Sequence, residues 1–168
     1  MHIVGLDFWG SMTVHLTRAE PHESEAIATM VGELLREIMA LVRDKSFVFE
    51  YAETVGRART WMKEGRYTVV LARVDATPVG FLALSESYAL YTGGVYGTIP
   101  EFYVRPMYRS QGIGAALLAE ATQIGWQRGW IRLEVTTPPL PQFHRTLSFY
   151  QRNQFTISGG RKLKRELS

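Results

Sequence analysis

The chain has no cysteine, which excludes a disulfide framework, a thiol nucleophile and a zinc-thiolate site. No apolar run approaches the length of a membrane span, and no charged leader precedes an apolar stretch near the start. No membrane partner is therefore expected, and the cytoplasm is the expected location. The histidines at 2, 15, 22 and 144 show no ligand spacing, so no metal is expected. Internal repeats and low-complexity segments are missing as well. Excess charge is small, at +3, and much of it sits in Arg161, Lys162, Lys164 and Arg165. With Leu163 and Leu167 alternating among them, that tail reads as the solvated face of an edge strand, and no nucleic-acid partner is expected.

What is present describes a folded domain. Of 168 residues, 46% are apolar and 21% charged, enough to bury one sizeable core and too few for two. Residues 1–11 match no period and read as an N-terminal extension, leaving 12–168 as the single domain. A strand is predicted at 12–17. Pro21 then suits the first turn of a helix, with Glu20, Glu23 and Glu25 at its positive end. Ile27, Met30, Val31, Leu34, Leu35, Ile38, Met39 and Val42 continue that helix as an apolar stripe. A second helix is predicted at 51–64, a hairpin of strands at 67–74 and 79–84, and a looser segment at 85–97. The later part reads as a strand at 131–136, a short helix at 142–153, an extended 155–158 and a last strand at 162–167.

The most informative stretch is 99–118. Its first residues are extended and apolar, and Pro106 closes them by about Arg105. From Gly112 onward, Ile113, Ala116, Leu117, Ala121 and Ile124 return at helical spacing. Between the two, Arg109-Ser110-Gln111-Gly112-Ile113-Gly114 leaves successive backbone N–H groups at a helix N-terminus, where anions are favoured. No carboxylate occurs from Met107 to Ala119. The segment reads as a diphosphate cradle. It is not a P-loop, which would end in Gly-Lys-Ser/Thr, and Leu117 stands where a dinucleotide fingerprint needs its third glycine.

Gln111-Gly112-Ile113-Gly114-Ala115, preceded by Tyr108-Arg109 and by a Glu101-Phe102-Tyr103-Val104 strand, resembles the acetyl-CoA signature of the GNAT family of N-acetyltransferases. The order of elements matches that family from about 12 to 167. The resemblance implies an α/β fold: a mixed, strongly twisted sheet of about six to seven strands flanked by about four helices. It also implies that the strands ending near Val104 and Thr136 splay into a V that admits the pantetheine arm of acetyl-CoA. Residues 91–114 are similar to the polyamine and small-molecule acetyltransferases, except that Pro100 replaces the first member of their acidic pair.

The resemblance implies roles residue by residue. Main-chain groups of Phe102, Tyr103 and Val104 would face the pantetheine and acetyl group. Arg109, Ser110, Gln111, Gly112, Ile113, Gly114 and Ala115 would take the pyrophosphate. Tyr150, in a Phe-Tyr helix segment typical of the family, would protonate the leaving thiolate, and Glu101 would receive the proton of the amine. Phe143, Thr146 and Gln154 depart from the family's usual Asn, Ala and Gly, and Arg152 lies within reach of phosphate. His144 reads as a surface residue.

The expected activity is acetyl transfer from acetyl-CoA directly to a primary amine, most readily that of a small molecule. No covalent enzyme intermediate is expected, since no cysteine is present. The rival readings are a non-catalytic acyl-CoA-binding module and an acetyltransferase acting on a protein or peptide. A C-terminal edge strand of this kind can also pair between two subunits, which makes a homodimer one expected assembly.

Overall fold

The computed structural model describes residues 2–5, 13–42, 48–159, 162–165 and 167. The sheet is built on two strands that are buried on both faces. In β3 (Tyr67–Val74) the run Val69 to Ala72 is at most 1% exposed, and in β4 (Thr77–Ala89) Val79, Phe81, Leu82, Ala83 and Leu84 are fully buried. Near-continuous apolar runs of this kind mark strands covered by helices on each side. On one face, Ile27 and Met30 of α1 (Ser24–Val42) meet Val69, Leu71, Phe81, Ala83 and Tyr103. On the other, Ile113, Leu117, Ala121 and Ile124 of α3 (Ile113–Gln127) meet Val70, Ala72, Leu82 and Leu84. Burying each large side chain fully stabilises by about 1.5–3 kcal/mol, so the two layers hold the sheet from both sides. The remaining helices are α2 (Tyr51–Lys63) and α4 (His144–Arg152).

Among the described residues the sheet has seven strands. β1 (His2–Gly5), which falls in the segment read as an extension, pairs antiparallel with β2 (Thr13–Arg18). The antiparallel order then runs β2, β3, β4 and β5 (Gly94–Ile99). A parallel pairing joins β5 to β7 (Leu133–Val135), and β6 (Phe102–Val104) pairs with β4. The mixed sheet flanked by four helices is the fold expected of the sequence.

Residues 85–97 and the C-terminal tail also differ from the sequence reading. Residues 85–97 are ordered hairpin: β4 continues to Ala89 and β5 begins at Gly94. Ser85, Glu86, Ser87 and Tyr88 alternate between half-buried and exposed, so the stretch lacks the apolar period that betrays a strand. In the tail, neither 155–158 nor the described part of 162–167 is a strand. Among the described residues β7 pairs only with β5, and Leu163 and Leu167 are about nine-tenths exposed, so their alternation buries nothing. Alternation alone does not make a strand without a surface to pack on.

The site is opened by a bulge. Ser85 pairs with Thr98 and Leu82 with Phe102. Between those pairs, Ala83 and Leu84 stand against Ile99, Pro100 and Glu101, one residue more. Pro100 has no N–H to give the ladder, and the extra residue bends the strand away from β7. Beyond Ile99 and Val135 the strands β6 and β7 no longer pair. The single strand expected at 99–104 is therefore two pieces, set at the mouth of a V.

Candidate active site

A cavity of about 860 Å³ fills the V. Its walls are Ile99 to Val104 on one side, Val135, Thr136 and Pro138 on the other, the α3 N-terminus at one end and α4 along its length. Phe102 and Val104 are the strand residues whose main chain faces it. The carbonyl of Glu101 accepts from Ala83 N–H at 2.9 Å, and Arg105 N–H donates to the Val79 carbonyl at 2.9 Å. The alternation of an antiparallel ladder then commits Tyr103 to Phe81 and turns Phe102 and Val104 outward. Of the three strand residues named from sequence, Tyr103 borders the cavity but turns its backbone to β4 and packs its side chain with Ile27 and Met30 of α1.

At the α3 end, the first helical hydrogen bond is Ala116 N–H to the Gly112 carbonyl, at 3.0 Å. The N–H groups of Ser110, Gln111, Gly112, Ile113, Gly114 and Ala115 donate to no acceptor among the described residues. Gly112 sits at φ +81°, in the left-handed region that side chains resist. Gly114 is favoured by close packing instead: a Cβ there would lie 3.1 Å from the Phe149 ring, which would have to give way by a few tenths of an ångström. This is a row of donors at the positive end of a fifteen-residue helix, without a carboxylate in it.

Arg109 is placed differently from the donors around it. Its Nη1 and Nη2 donate to the two Glu37 oxygens at 2.8 and 2.6 Å, and its Nε donates to the Val104 carbonyl at 2.7 Å. The Glu37 carboxylate holds the guanidinium charged and raises its pKa. Arg109 thus ties the turn to α1, with its charge closed by Glu37. Arg145 and Arg152 on α4, both exposed at the cavity, make no ion pair among the described residues. Gln111 donates through Nε2 to the Met107 carbonyl at 2.9 Å, which stiffens the turn.

Tyr150 is 5% exposed, its ring set among Phe102, Phe149 and Phe155 with centroids 5.4–6.2 Å away. Its hydroxyl bonds to no described residue. Ser24 Oγ is the one sealed, unbonded side-chain atom among the described residues, so Tyr150 Oη keeps open surface, and the space beside it is the cavity. Burial pushes the phenol well above the ordinary range, so it holds its proton at any physiological pH.

Glu101 lies in the bulge and lines the same cavity. Burial raises its pKa above the usual carboxylate value, against a smaller opposing effect from the Tyr67 phenol, which donates to Oε2 at 2.5 Å. Phe143 and Thr146 also line the cavity. His144, exposed as expected, stands at its edge with Nδ1 3.3 Å from the Pro141 carbonyl. Gln154 adopts φ +69° just past α4, which explains the glycine usual at that position. Gln154→Gly is therefore expected to stabilise the protein by about 1 kcal/mol, raising the melting temperature by a few degrees in a thermal scan. Tyr67, Glu37 and Arg145 carried no sequence signal, because each meets the site only through the sheet or a helix pairing.

Comparison with known proteins agrees with this fold. The profile of the Acetyltransferase (GNAT) family matches residues 34–155, and the chain belongs to that family. Among solved structures, it is similar to a ribosomal-protein-alanine N-acetyltransferase from Brucella melitensis biovar Abortus 2308, with 20% identity over 91% of this chain and 99% of that one and a TM-score of 0.68. An aminoglycoside acetyltransferase from an uncultured soil metagenomic sample, in complex with sisomicin, is 15% identical over 92% and 97%, with a TM-score of 0.73. A predicted acetyltransferase with acetyl-CoA from Clostridium acetobutylicum is 12% identical over 90% and 96%, with a TM-score of 0.74. No curated protein matches the chain. Among the described residues no helix is long and apolar enough to cross a membrane, and no cluster of three or more metal-ligating side chains occurs.

Proposed function

We propose that this protein acetylates a primary amine of a small molecule in the cytoplasm, using acetyl-CoA and no metal. The observation that carries the reading is the unbroken row of unbonded N–H groups from Ser110 to Ala115, opening on a cavity that also holds Tyr150 and Glu101. Those donors fit a diphosphate, and the outward main chain of Phe102 and Val104 fits an amide-bearing arm laid along the strand edge. Acetyl-CoA would supply an activated acetyl thioester. Phe102 or Val104 N–H would donate to its carbonyl oxygen as charge develops there. Arg109 contributes by holding the turn in shape against α1, while Arg145 and Arg152 add positive potential at the cavity rim.

The two titratable groups divide the proton work. Glu101 must be ionised to accept a proton from the incoming ammonium. Its raised pKa means that this form is lost as pH falls through a value above the usual carboxylate range. Tyr150 must be protonated to donate, and its raised pKa keeps it so until pH rises beyond the ordinary phenol range. Between those limits both groups are in the required state. The absence of a thiol is consistent with direct transfer to the amine.

The test is calorimetric titration with acetyl-CoA and, in parallel, coenzyme A, followed by thiol release with sisomicin, spermidine and an alanine-initiated peptide as acceptors. Saturable binding of both ligands at one site, with amine-dependent thiol release, supports the reading. Binding without release from any amine would leave an acyl-CoA-binding module, and no binding at millimolar ligand would remove acetyl-CoA altogether. Turnover of the peptide alone would move the acceptor class from small molecules to polypeptides.

A further inference from the structure

The carboxylate of Glu101 is gripped from across the sheet. Tyr67 stands at the start of β3, and β4 lies between that strand and the bulge. The Tyr67 phenol spans β4 at Ser85, its partner in the ladder, and Ala83, both small, to reach Glu101 Oε2 at 2.5 Å. On its far side the Tyr67 ring meets the edge of Trp61 in α2, with centroids 6.0 Å apart and planes at 63°. Glu101 Oε1 bonds to no described residue and is not a sealed atom, so it keeps open surface on the cavity that Glu101 lines. One oxygen is thus held and the other is free.

We propose that Tyr67 is a positioning residue for Glu101: it clamps Oε2 and so presents Oε1 to the cavity as the atom that takes the proton of the acceptor amine. This rests on the reading of Glu101 as the base. The proton passes from the ammonium nitrogen to Oε1, while the phenol keeps its own, because burial and the adjacent carboxylate both raise the Tyr67 pKa. Among the described residues, Tyr67 is the one titratable group acting directly on Glu101. Among the other charged or titratable groups at the cavity, Glu37 is closed by Arg109, Tyr103 faces α1, and Tyr150, His144, Arg145 and Arg152 belong to the α4 wall. α2 contributes Trp61, which does not titrate, and β4 contributes Ala83 and Ser85.

The experiment is a pH titration of the full chain labelled with carbon-13 at the glutamate δ carbon, observed by NMR, with Glu101→Gln identifying the Glu101 signal. The wild-type midpoint is expected above the ordinary carboxylate range. Tyr67→Phe keeps the ring against Trp61 and removes only the hydroxyl, and it should move the midpoint up by about one to two units, the usual worth of a hydrogen bond to a charged group. An unchanged midpoint overturns the clamp. Should Tyr67→Phe fail to fold, the hydroxyl spectrum decides: a protected, downfield tyrosine hydroxyl proton that moves upfield in Glu101→Gln, whose neutral amide oxygen is the weaker acceptor, supports the clamp, and its absence from the wild type overturns it. Thiol release by Glu101→Gln separates the two readings. Full turnover there removes Glu101 as base, and the proposed role of Tyr67 with it. Lost turnover with an unmoved Tyr67→Phe midpoint sinks the clamp alone.

Discussion

In Gly112→Asp, binding of acetyl-CoA and of coenzyme A falls by at least about a hundredfold. The residue is the N-cap of α3 at φ +81°, in the middle of the donor row from Ser110 to Ala115. An aspartate there sets a negative charge against the diphosphate. A unit charge about 4 Å from another costs about 1 kcal/mol in water and about 4 kcal/mol near a protein surface. Two phosphate charges at such range therefore reach a hundredfold, at about 1.4 kcal/mol per tenfold. The left-handed backbone adds roughly 1–2 kcal/mol of strain for any non-glycine residue, although aspartate tolerates it better than most. Gly112→Ala separates the effects: it carries the strain without the charge and should weaken binding far less. Titration calorimetry of both variants reads the difference. Equal, small losses in the two would mean that no anion sits in the turn.

The same residues show what a sequence can and cannot disclose. The α3 turn was legible because its chemistry is local: two glycines, no carboxylate and the helical return of Ile113, Leu117 and Ala121 all lie within one short stretch. Tyr150 was legible for a similar reason, sitting in a short Phe-Tyr helix segment. Gln154 stood out as a departure, and its φ of +69° shows that the position asks for a left-handed residue whatever occupies it. Arg109 looked like a phosphate ligand because it adjoins the turn, yet its partner is Glu37, on a helix whose apolar stripe gives no hint which of its polar residues faces inward. Tyr67 reaches Glu101 by crossing β4, a contact fixed by sheet register. The bulge at Ile99 to Glu101 arises from counting residues against β4, which requires the pairing to be known. The two extended pieces expected at the C-terminus had suitable alternation, but among the described residues neither pairs as a strand, and Leu163 and Leu167 stay exposed.

Tyr150→Phe lowers kcat by about a hundredfold to ten-thousandfold, the usual span for loss of a positioned general acid, and leaves the affinity for acetyl-CoA nearly unchanged. The ring is the packing element: it is 5% exposed and touches Phe102, Phe149 and Phe155, all contacts that phenylalanine retains. Among the described residues the hydroxyl makes no hydrogen bond, so its removal leaves none of them unsatisfied. Stability should change little, and a melting curve close to that of the wild type assigns the loss to chemistry. The raised phenol pKa gives the pH profile a particular shape. Tyr150 stays protonated well past the ordinary phenol range, so it adds no falling limb near neutrality. With Glu101 as the proposed base, the rising limb should lie above the usual carboxylate range, because burial holds that group protonated to higher pH. In Tyr150→Phe the rising limb should persist at a lower plateau, measured by thiol release with whichever amine the wild-type protein acetylates. If kcat were unchanged, a phenol with no other bond to make would be only a core residue with a spare oxygen, and the leaving thiolate would have to take its proton from water in the cavity.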